Sequence, residues 1–264
     1  MNILLCVLLL AFHVYSSVTD IQDMRKYKMA RITEKIRTQF YKECIIYGWM
    51  PVLIIAVFIA LTPLSLCNIG IRKITMSDVW WLNGVLFAII SVIVVALLYQ
   101  TVMYFKSEEY RRQLVEELNN GEKNHYDYMM DVLIPRTIKE KKYFFFVSLT
   151  AGICEEIVWR GCMIFLLKDI FPTMHVAIVG LAASGLFGLF HCYQGIQGVI
   201  KTGLGGILFV WLYLMTDSLI LGIGLHFMFD FSSAFLLREE QNKDRKEIHT
   251  WNGECFWWKR FAEK

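Results

Sequence analysis

Charge is sparse in this sequence. Asp, Glu, Lys and Arg make up 19% of its 264 residues, against roughly a quarter in soluble globular domains. With 56% hydrophobic and 15% aromatic residues and a mean hydropathy of +0.45, that shortfall excludes an ordinary soluble domain. There is also little excess of one sign. A net charge of +3 gives no electrostatic footprint for nucleic acid, and neither a Gly-rich phosphate loop nor basic residues interleaved with aromatics is present. The seven cysteines, Cys6, Cys44, Cys67, Cys154, Cys162, Cys192 and Cys255, form no CxxC pair. Most lie in apolar stretches and read as buried reduced thiols. The C-terminal RFAEK is not a lipidation box.

What is present is a series of apolar runs, several near the ~20 residues that cross a bilayer. They predict an all-α, polytopic transmembrane helical bundle of about six to seven spans. Six are expected at 44–67, 79–105, 143–167, 176–194, 196–216 and 218–237. The first 16 residues carry a shorter apolar run that reads either as a signal peptide, cleaved near Ser16, or as a retained anchor. Lys and Arg concentrate in 20–43, in 106–142 and in the tail, whereas 68–78 holds only Arg72 and Lys73. Because Lys and Arg favour the cytoplasmic face, all three basic segments fall on one side when six spans follow residue 44. That sidedness argues against signal cleavage. Three regions result: 1–142, with an N-terminal anchor, two spans and an amphipathic cytoplasmic loop; 143–237, a membrane core; and 238–264, a polar tail.

Ionisable residues interrupt the apolar core in three places: Glu155, Glu156 and Arg160 in GICEEIVWRG; His191 in FGLFH; and His226 and Asp230 in HFMFD. Each charge at mid-bilayer costs about 2.5–3.5 kcal/mol or more, so these groups must face the bundle interior and find partners. Glu156 and Arg160 are i,i+4 and can pair on one helical face. His226 and Asp230 have the same spacing, so the carboxylate can orient the imidazole. Glu155 lies about 100° round the helix from Glu156 and has no evident structural partner. At about 1.5 Å per residue, Glu155 and His226 come out at matching depths from opposite faces, and His191 about 10 Å nearer the positive side. Small residues in GLAASGLFG and GVIKTGLGG would let their helices approach closely. A structural ion pair for Glu156–Arg160, a core histidine for His191 and a helix acceptor for Asp230 are the plainer readings one by one. Together, histidines beside carboxylates in a dry site can activate water.

In this order, EExxxR, FxxxH and HxxxD, each on its own apolar helix, resemble the CPBP intramembrane protease family. That family includes the CAAX-box prenyl endopeptidase and many bacterial Abi-type proteins. The motifs stand here as Glu155-Glu156-x-x-x-Arg160, Phe187-x-x-x-His191 and His226-x-x-x-Asp230, and the resemblance covers about 143–237. It implies a membrane-embedded endopeptidase in which Glu155 and His191 activate water, His226 and Asp230 stabilise the oxyanion, and Glu156 and Arg160 fix the geometry. Asp230 departs from the prenyl-endopeptidase form, where an asparagine would donate. An ionised Asp cannot donate, so it is either protonated or orients His226.

A water-activating dyad needs no cofactor. Zinc is the alternative, with Glu155, His191 and His226 as ligands, although the HExxH signature is absent. The i+3 and i+4 neighbours of His191 are Gln194 and Gly195, which offer no carboxylate to orient a zinc-bound imidazole and favour the dyad. The expected partners are membrane lipid and a peptide or lipidated protein substrate, with no nucleic acid; oligomeric state is not legible. The expected site of action is the plasma membrane in a prokaryote or the endoplasmic reticulum in a eukaryote. Two rival functions stand beside the enzyme. One is a catalytically silent scaffold or immunity-type binding protein. The other is an ion-coupled transporter, against which the lack of internal repeats and of Gly/Pro-broken helix pairs counts.

Overall fold

A computed structural model of the chain describes residues 1–29, 32–76, 78–110, 112–113 and 132–233. Among these the regular elements are all helical. In chain order they are α1 (Asn2–Met29), α2 (Glu34–Leu61), a 3-10 turn (Leu66–Ile69), α3 (Trp80–Lys106) and α4 (Ile138–Glu155). A π-helical segment (Glu156–Met163) continues α4 into α5 (Ile164–Ile170), and α6 (Val176–Phe190), α7 (Gly195–Thr216) and α8 (Ile220–Ser232) complete the bundle. The amphipathic helix expected within 106–142 and the tail at 238–264 fall mostly or wholly outside the described residues.

The chain is an all-α integral membrane protein. Among the described residues, four stretches are long and apolar enough to cross a bilayer: Asn2–Tyr27, Glu34–Leu61, Trp80–Lys106 and Cys192–Thr216. The other expected spans are built differently. α6 and α8 are apolar but only 15 and 13 residues long, and the α4–α5 rod carries Glu155, Glu156 and Arg160 near its centre.

Four boundaries in the first half of the bundle move from their expected places. α1 does not stop with its apolar run but continues to Met29. α2 begins at Glu34 rather than 44 and ends at Leu61 rather than 67. Within these extensions Asp20, Asp23 and Glu43 face the internal cavity, although a hydropathy window reads such residues as surface. α4 starts at Ile138, five residues before the expected 143. A capping box sets that start: Thr137 Oγ1 accepts from the Glu140 N–H at 3.2 Å, and Glu140 Oε2 accepts from the Thr137 N–H at 3.0 Å. Its reciprocal bonds satisfy two of the helix's unpaired donors. Glu140 is fully buried and also accepts from Arg37 Nε at 2.8 Å. This bond ties the start of α4 to α2.

Packing brings the motif-bearing elements to the centre. α4 lies between α2 and α8, α6 packs along α7, and α1 lies against α5 and the turn after α6. Gly188 shows why α6 and α7 can meet: a Cβ there would stand 2.7 Å from the Val199 carbonyl oxygen and 3.0 Å from Gly203 Cα. Gly152 does the same between α4 and α8, where a Cβ would be 3.0 Å from the Phe227 nitrogen. Such backbone contact is how membrane helices associate without a hydrophobic driving force. The main core joins Leu5 and Leu9 of α1 with Ile55, Trp159, Met163, Leu166, Val179, Phe187 and Val210. α1 is thus a core element.

Candidate active site

The site begins where α4 changes its winding. After Glu155 the backbone opens into the π-helical segment, all eight residues of which are buried. Wider i→i+5 turns of this kind are rare and recur at functional sites. The segment presents Glu156 and Arg160 inward together. Arg160 Nη1 lies 3.1 Å from Glu156 Oε1, and each side chain is 1% exposed. The contact is an ion pair without hydrogen-bond alignment, since neither Nη of Arg160 nor Glu156 Oε2 has a hydrogen-bond partner among the described residues. The guanidinium is held by rings instead, 4.4 Å from the Phe187 centroid and 5.2 Å from that of Phe209. These cation–π contacts strengthen where water is excluded.

Glu156 has a second task. Its Oε1 accepts from Nδ1 of His226 at 2.9 Å, across from the π-helical segment to α8. The His226 ring also stacks on Phe209, with centroids 4.9 Å apart and planes at 17°. Held by both, the imidazole turns Nε2 toward two carboxylates, 3.7 Å from Glu155 Oε2 and 3.8 Å from Asp230 Oδ2. Asp230 faces Nε2 beyond hydrogen-bond distance, and Glu156 holds Nδ1. An i,i+4 pair within one helix is visible in sequence, whereas a bond between helices is not.

His191 caps the C-terminus of α6 instead of lying inside a longer helix. Its Nδ1 stands 2.7 Å from the Phe187 carbonyl oxygen. A carbonyl accepts only, so Nδ1 carries the hydrogen and Nε2 of the neutral ring is left as a lone-pair acceptor. The ring meets Phe187 edge-on at 4.5 Å. Glu155 and His191 both line one cavity of about 200 Å³, while His226 reaches it through Glu155. The cavity extends between α1 and α2 toward Tyr27 and Phe40. These two rings cluster with Val132.

The cavity walls contain residues that the sequence reading left outside the site. Ser16, Asp20, Asp23 and Tyr27 of α1 and Glu43 and Tyr47 of α2 line it. Their spacing was the available signal: 16, 20, 23 and 27 fall on one helical face.

The donor set does not fit zinc in this arrangement. A zinc site draws its ligands to about 2.0–2.2 Å from one point, and no group of three His, Cys, Asp or Glu side chains among the described residues could hold a metal ion.

Residues 139–232 match a family model described as type II CAAX prenyl endopeptidase Rce1-like. The match is a likeness over this segment alone, about a third of the chain. It begins one residue into α4, ends on the last residue of α8 and includes all three motifs. Proteolysis is the activity at the level of this family. α1, α2 and α3 lie outside the matched segment, although α1 and α2 wall its cavity. No curated protein and no solved structure matches the chain.

Proposed function

We propose that this chain is an intramembrane endopeptidase that hydrolyses a peptide bond in a prenylated or otherwise membrane-associated substrate. One observation carries the reading: Glu155 and His191 share a cavity, and the Nε2 of His226 stands 3.7 Å from Glu155. Water sits between Glu155 and Nε2 of His191. Glu155 takes its proton as the oxygen attacks the scissile carbonyl carbon. The carbonyl oxygen becomes an oxyanion and accepts a hydrogen bond from Nε2–H of His226; such donors contribute about 2.7–4 kcal/mol elsewhere. As the C–N bond breaks, the proton on Glu155 passes to the leaving amine.

Asp230 then acts through His226. Its negative charge beside Nε2 favours a proton there, so an aspartate supports the oxyanion donor without donating itself. Glu156 and Arg160 hold His226 in place from the opposite side.

The test is incubation of purified protein in detergent with a farnesylated CAAX-type peptide, with products read by mass spectrometry. A single internal cleavage by the wild type, absent with Glu155→Ala, supports the proposal. An uncleaved panel of prenylated and transmembrane peptides overturns it.

A further inference from the structure

A third imidazole reaches the site from outside the matched segment. We infer that His13, on α1, is a substrate-binding residue whose Nε2 accepts a hydrogen bond from a main-chain N–H of the peptide in the cavity. The inference rests on the endopeptidase reading and extends it to a helix that the family match does not include.

His13 lines the same cavity as Glu155 and His191. Its Nδ1 lies 2.7 Å from the Leu9 carbonyl oxygen, the same i−4 arrangement that His191 makes with Phe187 at 2.7 Å. Nδ1 must therefore carry the hydrogen, and Nε2 of the neutral ring is an acceptor. Among the described residues, nothing donates to it. The ring is also fixed in place. It packs edge-on against Trp159 at 4.8 Å and lies 5.5 Å from Phe190, the neighbour of His191. Ser17, one turn further along α1, donates to the Phe190 carbonyl at 2.9 Å, and Leu5 and Leu9 are buried in the core. Two imidazoles, each bonded through Nδ1 to the carbonyl four residues earlier, thus line one cavity.

The occupant follows from the surroundings. A peptide drawn into a membrane-embedded cavity leaves water, and each of its main-chain N–H groups then needs an acceptor. Glu155 and His191 are committed to the attacking water. His13 supplies an acceptor nearby, on a rigid element, between apolar rings that would otherwise leave both donor and acceptor unpaired.

Two substitutions separate binding from packing. His13→Phe keeps a ring against Trp159 and removes the acceptor, whereas His13→Gln restores an acceptor near the Nε2 position. The probe is an internally quenched farnesylated CAAX-type peptide, used with purified full-length protein in detergent. Its Kd is also measured on a Glu155→Gln background, where turnover does not interfere. We expect His13→Phe to raise KM and Kd by about 5–10-fold with the change falling on KM, and His13→Gln to return both to within about twofold. Binding and cleavage by His13→Phe at wild-type levels overturn the inference alone. So does equal impairment of both variants with a lowered Tm, which marks His13 as packing only. If wild-type protein neither binds nor cleaves the peptide, the substrate reading fails first and this inference with it.

Discussion

Replacing Arg160 with alanine is expected to cost the fold more than the chemistry. The guanidinium is 1% exposed, so its removal has three separable consequences. The Glu156 carboxylate loses its buried counter-ion at 3.1 Å and keeps only His226. Breaking one side of a buried pair costs about 3–5 kcal/mol. The Phe187 and Phe209 rings lose a cation at 4.4 and 5.2 Å, each contact contributing about 0.5–2 kcal/mol. A void also opens beside Gly206, where Arg160 Nη2 now stands 3.3 Å from where a Cβ would be. The remaining His226 bond offsets part of this, so the net loss should stay near 3–5 kcal/mol. At roughly 2–4 °C per kcal/mol for a chain of this size, Tm in detergent should fall by about 6–20 °C. Arg160→Lys keeps the charge without the planar stack and should fall between. Glu156→Ala and the double variant complete a cycle, and non-additive losses are expected because the two groups touch. An Arg160→Ala protein that melts within about 2 °C of wild type yet does not cleave would refute this reasoning. It would place Arg160 in the chemistry.

Three further outcomes follow from the same geometry. Asp230→Asn should retain activity within about tenfold, because asparagine can itself donate, whereas His226→Ala should lose about 10²–10³-fold in kcat; equal losses would mean that Asp230 acts directly. Leu9→Ala should destabilise the whole bundle by about 2–5 kcal/mol, since Leu9 is fully buried in the core shared with α4 to α7; an unchanged Tm would show α1 to be a detachable anchor. Activity should persist after chelation, with substoichiometric zinc by metal analysis. Stoichiometric zinc whose removal abolishes activity, restored by zinc alone, would make Glu155, His191 and His226 the ligands to test first.

The sequence carried much of the site's layout because charge in an apolar helix is costly and therefore conspicuous. Helical rise alone placed Glu155 and His226 at one depth, and their side chains stand 3.7 Å apart. Spacing alone paired Glu156 with Arg160, which meet at 3.1 Å. What was hidden depends on contacts between helices or on polar residues near apolar runs. Glu156 rather than Asp230 holds His226, a bond across 70 positions that no local pattern encodes. The π-helical winding after Glu155 has no signature of its own among GICEEIVWRG. Segment 20–43 reads as basic and cytoplasmic from its Lys and Arg, although Asp20, Asp23 and Glu43 within it line the cavity. The Thr137–Glu140 capping box was legible and would have set the start of α4.

The central claim is that Glu155 and His191 activate a water that cleaves a peptide bond. Its most direct test is kcat and KM of purified wild-type protein, Glu155→Ala and His191→Ala against one farnesylated CAAX-type peptide in detergent. Each protein is first shown to be folded by its Tm. The account predicts cleavage by the wild type and a kcat loss of at least about 10²-fold in each variant, with Tm little changed. Cleavage by a folded Glu155→Ala protein at the wild-type rate would contradict it.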